Sequence, residues 1–328
     1  QVNMENRGIA FGYGFLSQES SFDVQFSLIE YDGSHSYFRA YLVGLLNTIL
    51  VSVIGIIFAT IIGLIVGIAR LSKNYLIERS AAVYVEFFRN IPLLLQIFFW
   101  YFAALRALPL PEKAEPIFGV FFLTIKGLFV PAFIWNNLDI FVYSIIAAII
   151  SITFVRIYAR KKQENEGKQI PVLNISIGLL LILPLLSFLI GGASFSVEIP
   201  VIKQLSQTSF TYEGGIGLPP ELIALALALS LYTATFIAEC VRAGVQGVGK
   251  GQKEAAQSIG LTPNQVLKLV IMPQALRIII PPTTNQYLNL TKNSSLAAAI
   301  AYPDLVLVFA GTALMQTGRA IEIVSITM

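Results

Sequence analysis

Apolar residues run along this chain in blocks too long for strands and too unbroken for the stripe of a surface helix. A membrane span needs roughly 20 mainly apolar residues, because an α-helix rises about 1.5 Å per residue across about 30 Å of hydrocarbon. Six blocks meet that length, at roughly 42–69, 81–107, 138–159, 174–190, 221–245 and 265–290. A further apolar run, 297–313, is short and interrupted by Tyr302, Pro303 and Asp304, which suits a re-entrant or interfacial helix. Another span is expected to begin near Gly318. The segment "FGVFFLTIKGLFVPAFIW", 118–135, carries Lys126, Gly127 and Pro131 and reads as an external loop. The pattern predicts an all-α, polytopic membrane protein, with an external segment over 1–40 and the membrane domain over 41–328.

Composition agrees. Hydrophobic residues make up 55% of 328 and charged ones 12%, far from the balance of a soluble domain. Lysine and arginine collect in alternate loops. Arg70, Lys73 and Arg79, then Arg156, Arg160, Lys161, Lys162 and Lys168, then Arg242, Lys250, Lys253 and Lys268 mark the cytoplasmic side. Arg7, Arg39, Arg106, Lys113, Lys126, Lys203 and Arg319 lie opposite, sparser and mixed with acids such as Asp23, Glu30 and Glu213. The net charge of +3 reflects this topology and gives no argument for nucleic acid. One cysteine, Cys240, excludes an internal disulfide, and the one histidine, His35, sits in the polar external stretch "YDGSHSY" as a solvated loop residue. With no G-x-S-x-G or H-E-x-x-H in the chain, an enzyme reading lacks a chemical centre.

The cytoplasmic stretch "AGVQGVGKGQKEAAQSIG" begins with the G-x-x-x-x-G-K spacing of a phosphate-binding loop. Such a loop needs a Ser or Thr after the lysine to ligate magnesium, and it follows a buried strand. Here Gly251 follows Lys250, and a long apolar run precedes Gly244. The second half, with Glu254, Ala255, Ala256 and Gly260 and a proline before the next span, resembles the EAA loop of the permease subunits of bacterial ABC importers. The flanking segments "AYLVGLLNTILVS", "EFFRNIPLLLQIFFWYF", "YTATFIAECVRAGVQGVGKGQKEAA" and "IMPQALRIIIPPTTNQYLNLTKNSSLA" are similar to the polar amino-acid branch of that superfamily, and within it to the general L-amino-acid permease subunits. The similarity spans the whole chain, including an inserted hydrophobic pair at 138–190 that shorter relatives lack. It also implies one more helix before Gln1 and a final span completed beyond Met328.

The resemblance implies a type I importer-like fold in the bacterial inner membrane, with 243–263 as the coupling loop. A dimer of separate ATP-binding subunits would dock there and would use the ATP and magnesium, this chain binding no cofactor or metal itself. A second permease subunit and a periplasmic or external amino-acid-binding protein complete the expected assembly. Ala256 and Gly260, four apart, are expected on one face of a short helix, where small side chains permit close approach by the ATPase. A solvated loop with incidental small residues is the blander reading. The competing function is an ion-gradient-driven secondary transporter for small polar solutes, which would need paired broken helices in corresponding halves. Beyond a repeated E-x-x-R no such symmetry is found.

Ionisable residues inside apolar spans are costly and mark candidate pathways. Glu86 and Arg89, and again Glu239 and Arg242, stand one helical turn apart. Glu86 and Arg242 lie near cytoplasmic ends, where snorkelling or an i,i+3 pair explains them. Arg89 and Glu239 lie deeper and are expected to face the path, contacting each other or the charged groups of an amino acid. Thr233, Thr235, Thr283, Thr284, Asn285 and Gln286 either line a cavity or bond between helices. Lys292, Asn293, Ser294 and Ser295 form either a gate lining or an external turn. Pro92, Pro273, Pro281 and Pro282 break the second and sixth spans, opening backbone to a cavity or kinking for packing. Gly63 and Gly67 have the small-xxx-small spacing of a helix contact.

Overall fold

The computed structural model describes residues 12–167, 170–189, 194–206 and 209–327. Arg7 and Lys168, counted above in the charge bias, lie outside the described residues. Eight helices carry the architecture: α1 Tyr37–Ala69, α2 Tyr75–Asn90, α3 Leu93–Phe98, α4 Leu138–Glu166, α5 Val172–Leu189, α6 Pro220–Gln246, α7 Lys250–Ser258 and α8 Met272–Asn293. Five stretches are long and apolar enough to cross a membrane, namely Tyr37–Ala69, Asp139–Glu166, Val172–Leu189, Pro220–Gln246 and Pro263–Ile300. The second expected span, 81–107, is instead a broken pair, α2 followed by Leu93–Ala107, bent by 100°.

The contacts divide the chain into two units, one of residues 1–110, 124–128 and 218–328, the other of 111–123 and 129–217. In the first, α1 and α6 form the core. Ser36 opens α1 by accepting the Arg39 amide, and Pro219 and Pro220 start α6, where a missing N–H costs nothing. The buried face of α1 repeats every four residues as Val51, Gly55, Ala59, Gly63 and Gly67. Lipid tails are as apolar as leucine, so helices in a membrane gain little from hiding apolar surface; close packing holds them instead. The glycines supply that closeness. A Cβ on Gly63 would stand 2.7 Å from the Cβ of Ile237 and 3.0 Å from the Ala234 carbonyl, and one on Gly67 would stand 2.7 Å from the Cβ of Val241. With Ser230 donating to the Gly55 carbonyl at 3.4 Å, the paired numbers rise together, so α1 and α6 run parallel. α8 returns antiparallel, placing Ala275 and Ile279 against Gly244.

Two interruptions are satisfied internally. At the bend after α2, Pro92 has no N–H to donate, and Gln96 donates instead to the carbonyls of Phe88 at 2.8 Å and Ile91 at 2.9 Å. Beyond α8 a 3-10 turn, Ser294–Ile300, ends at Ala301 in the left-handed region, and a π-helical stretch resumes at Val306–Ala313. The break is buried. Asn47 donates to the carbonyls of Phe26 and Pro303, Tyr302 donates to that of Asn47, and Thr48 accepts from the Leu305 amide. Non-helical backbone survives at membrane depth only with such protein partners. The 297–313 run is thus two short helical pieces about the Tyr302–Asp304 corner, as its interruption suggests. The segment after Gly318 forms an eight-residue helix, Ala320–Thr327, whose Glu322 accepts the Gly12 amide at 2.8 Å.

In the second unit α4 and α5 form a hairpin whose apolar side chains are mostly exposed, as a lipid-facing pair requires. Phe141 and Phe188 meet with ring centroids 5.4 Å apart. Ala132–Asn136 pairs antiparallel with Ser194–Glu198, and Val201–Ser206 with Ser209–Glu213. The segment 118–135 does not span; it holds short strands.

Candidate functional site: a polar cleft and a cytoplasmic helix

At the middle of α6, Thr233 faces α8 across a cleft of about 240 Å³. Tyr232, Thr233 and Phe236 line one wall, and Gln286, Asn289, Lys292 and Asn293 the other. Periodicity explains the second wall, since 286, 289 and 293 fall on one face of a helix. The lining includes two hydroxyl-bearing residues, Tyr232 and Thr233, with three carboxamides and one ammonium, and no carboxylate. Arg89, exposed near the end of α2, lays its guanidinium 4.7 Å from the centroid of Phe236, a ring that is itself part of the lining.

Three of the expected path residues therefore come together here, namely Gln286, Lys292 and Asn293, with Arg89 one ring away. Others go elsewhere. Thr235 is buried and donates to the Tyr232 carbonyl at 2.7 Å, and Ser294 is buried and donates to that of Thr291 at 2.7 Å. Their hydroxyls serve their own backbone. Asn285 is exposed on α8 outside the cleft lining.

Glu239 does not pair with Arg89. Its carboxylate meets Arg242 of the same helix at 2.8 Å and Arg70, at the end of α1, at 3.6 Å; Arg70 also approaches Glu78 of α2 at 3.9 Å. The i,i+3 pair suggested for Arg242 is therefore present, and Arg70 is the partner the sequence did not reveal, because the contact joins residues 169 positions apart on parallel helices. Asn289 was also missed, although the 286–289–293 spacing carries it.

Within the segment 243–263, where coupling to the ATPase is expected, α7 begins at Lys250 after the end of α6 and a short turn. No strand precedes it, so the phosphate-loop geometry is absent. Glu254 and Ala255 are exposed, whereas Ala256 is buried to 4% exposure within this chain. α7 ends at Ser258, so Gly260 does not share a helical face with Ala256. Instead Gly260, at φ +85°, donates to the Gln257 carbonyl at 2.9 Å while Leu261 donates to that of Ala256 at 3.2 Å, the hydrogen-bond pattern of a Schellman C-cap. The turn then restarts with Thr262, whose backbone N–H is met by the Gln265 side chain at 2.9 Å. Gln252 of α7 accepts from Gln274 of α8 at 3.3 Å.

The chain matches the family described as the inner membrane component of binding-protein-dependent transport systems over residues 170–325. YhdX of Escherichia coli (strain K12), classed as an amino-acid ABC transporter permease, is 46% identical, over 100% of this chain and 82% of that protein. The general L-amino acid transport system permease protein AapQ of Rhizobium johnstonii is 48% identical, over 99% and 80%. BztB of Rhodobacter capsulatus, a glutamate/glutamine/aspartate/asparagine transport system permease protein, is 40% identical, over 100% and 83%. An ATPase and a solute-binding protein are the partners such membership entails. The multi-pass helices and these likenesses along the full chain converge: it belongs to the amino-acid permease family of ABC importers, a transport subunit of the bacterial inner membrane and not an enzyme.

Proposed function

We propose that this subunit passes amino acids through the cleft between α6 and α8, with Lys292 and Arg89 attracting the α-carboxylate and the carboxamides of Gln286, Asn289 and Asn293 bonding the remaining polar atoms. The observation that carries this reading is a polar cleft at mid-span with a cation and no carboxylate in its lining. Ionisable groups within membrane spans are costly and mark functional sites where a solute or partner compensates them. The named substrates of AapQ and BztB support an amino-acid cargo whose common element is that carboxylate. Two permease subunits enclose the path, an external binding protein delivers the solute, and two ATPase subunits bind ATP and magnesium. The exposed Glu254 and Ala255 dock the ATPase, while Ala256 seats α7 on its own chain.

The test is uptake of labelled amino acids into vesicles holding the purified complex, with ATP supplied and ionophores abolishing every ion gradient. Uptake should persist, and Lys292→Ala or Arg89→Ala should lower it about tenfold, the worth of roughly one charge-assisted hydrogen bond of 1.5 kcal/mol. Collapse of uptake with ionophores would mean a secondary transporter. Unchanged uptake and preference in both variants would remove the cleft from the path.

A further inference from the structure

The α4–α5 hairpin holds a cleft that the transport reading does not use. It measures about 340 Å³ and is lined by Arg156, Ala159, Arg160 and Gln163 of α4 with Ile170 and Val172 at the start of α5. We propose that it binds the headgroup of an anionic phospholipid of the cytoplasmic leaflet.

Depth is fixed by two independent counts. From Asp139 to Arg156 in α4 and from Val172 to Leu189 in α5 are each 17 residue steps, about 26 Å of helix. Both fall just short of the hydrocarbon thickness of about 30 Å, so Arg156 and Val172 reach the inner boundary together. Arg160, one turn further, reaches the phosphate level. Tyr158 and Lys162, with the ammonium 5.7 Å from the ring centroid, stand at the same level of α4, where an interfacial aromatic and a snorkelling cation belong.

Charge and shape then select the ligand. Arg156 and Arg160, four apart, share a helix face, and the cleft lining holds no carboxylate. Arg156 has no ion-pair partner among the described residues. Arg160 meets Glu164 at 3.0 Å, but the two side chains are 83% and 60% exposed, and so open a pair is worth little and yields to a phosphate. A guanidinium pair binds phosphate oxygens in a bidentate manner, while Ala159, Ile170 and Val172 present apolar surface to the first acyl carbons. A soluble anion would use only the first half of this arrangement.

The full permease with its ATPase subunit, in nanodiscs, is probed with spin-labelled phosphatidylglycerol and phosphatidylcholine. The native protein should immobilise phosphatidylglycerol preferentially. Arg156→Gln with Arg160→Gln should cut that preference more than tenfold, at about five-fold per basic residue; the corresponding double Lys variant should keep most of it. Val172→Trp, which fills the cleft at constant charge, should also reduce it and serves if the Gln variant does not assemble. Added inorganic phosphate should not displace the lipid. The inference fails if the Gln and Trp variants keep the native preference, or if phosphate competes as a free-anion site would allow. Release of the ATPase from the Gln variant, with lipid unchanged, would assign the basic face to a protein contact and overturn it too.

Discussion

Gly260 illustrates how a small residue can be required for one reason and suspected for another. A Cβ there would meet nothing within 4 Å, so crowding inside this chain is not what keeps it small. Its φ of +85° is the constraint, since a side chain in the left-handed region costs about 1–2 kcal/mol and asparagine bears it best. Gly260→Val should therefore weaken coupled transport and ATPase docking, and Gly260→Asn should restore most of both. Equal loss in the two variants would instead mean that a partner surface presses on this position. The glycine itself was legible in the sequence, but its role was not, because the end of α7 at Ser258 depends on a turn that four residues of spacing do not specify.

At the scale of elements, the broken second span depends on one side chain. Gln96 is buried and meets the two carbonyls that the bend at Pro92 leaves free. Gln96→Leu keeps the volume and removes both bonds, leaving unpaired acceptors in a region without water. The expected cost is about 1–3 kcal/mol, read as a fall of several degrees in the unfolding temperature of the solubilised subunit. An unchanged midpoint would mean that water or another group reaches those carbonyls. The proline announced the interruption, and apolar length announced the spans, because the bilayer sets a minimum that few other folds imitate. The hairpins at Ala132–Asn136 with Ser194–Glu198 and at Val201–Ser206 with Ser209–Glu213 were not legible. They are short, lie beside strong helical signals, and draw their stability from pairing across some 60 residues in the first case.

For the whole molecule, the order of the spans followed from apolar length, whereas the choice of facing residues did not. Helix rotation decides whether Glu239 looks toward Arg89 or toward Arg70, and a single sequence carries no record of that angle. The glycine seam on α1 was the exception, since Gly63 and Gly67 advertise a contact face without naming the partner. That seam has a mechanical consequence. Where Gly63 and Gly67 bring α1 to the side chains and carbonyls of α6, there is no slack to slide or tilt without collision, so the two helices form one rigid lever. Spin labels at the exposed positions Ile68 and Ala243 should give the same distance distribution with and without nucleotide; a shift between the two would show the seam opening. If α1 and α6 turn only as one piece, an importer cycle must draw its motion from joints outside that seam. The bend at Pro92 and the short turn between α6 and α7 then become the hinges through which a nucleotide-driven stroke is converted into access for the solute.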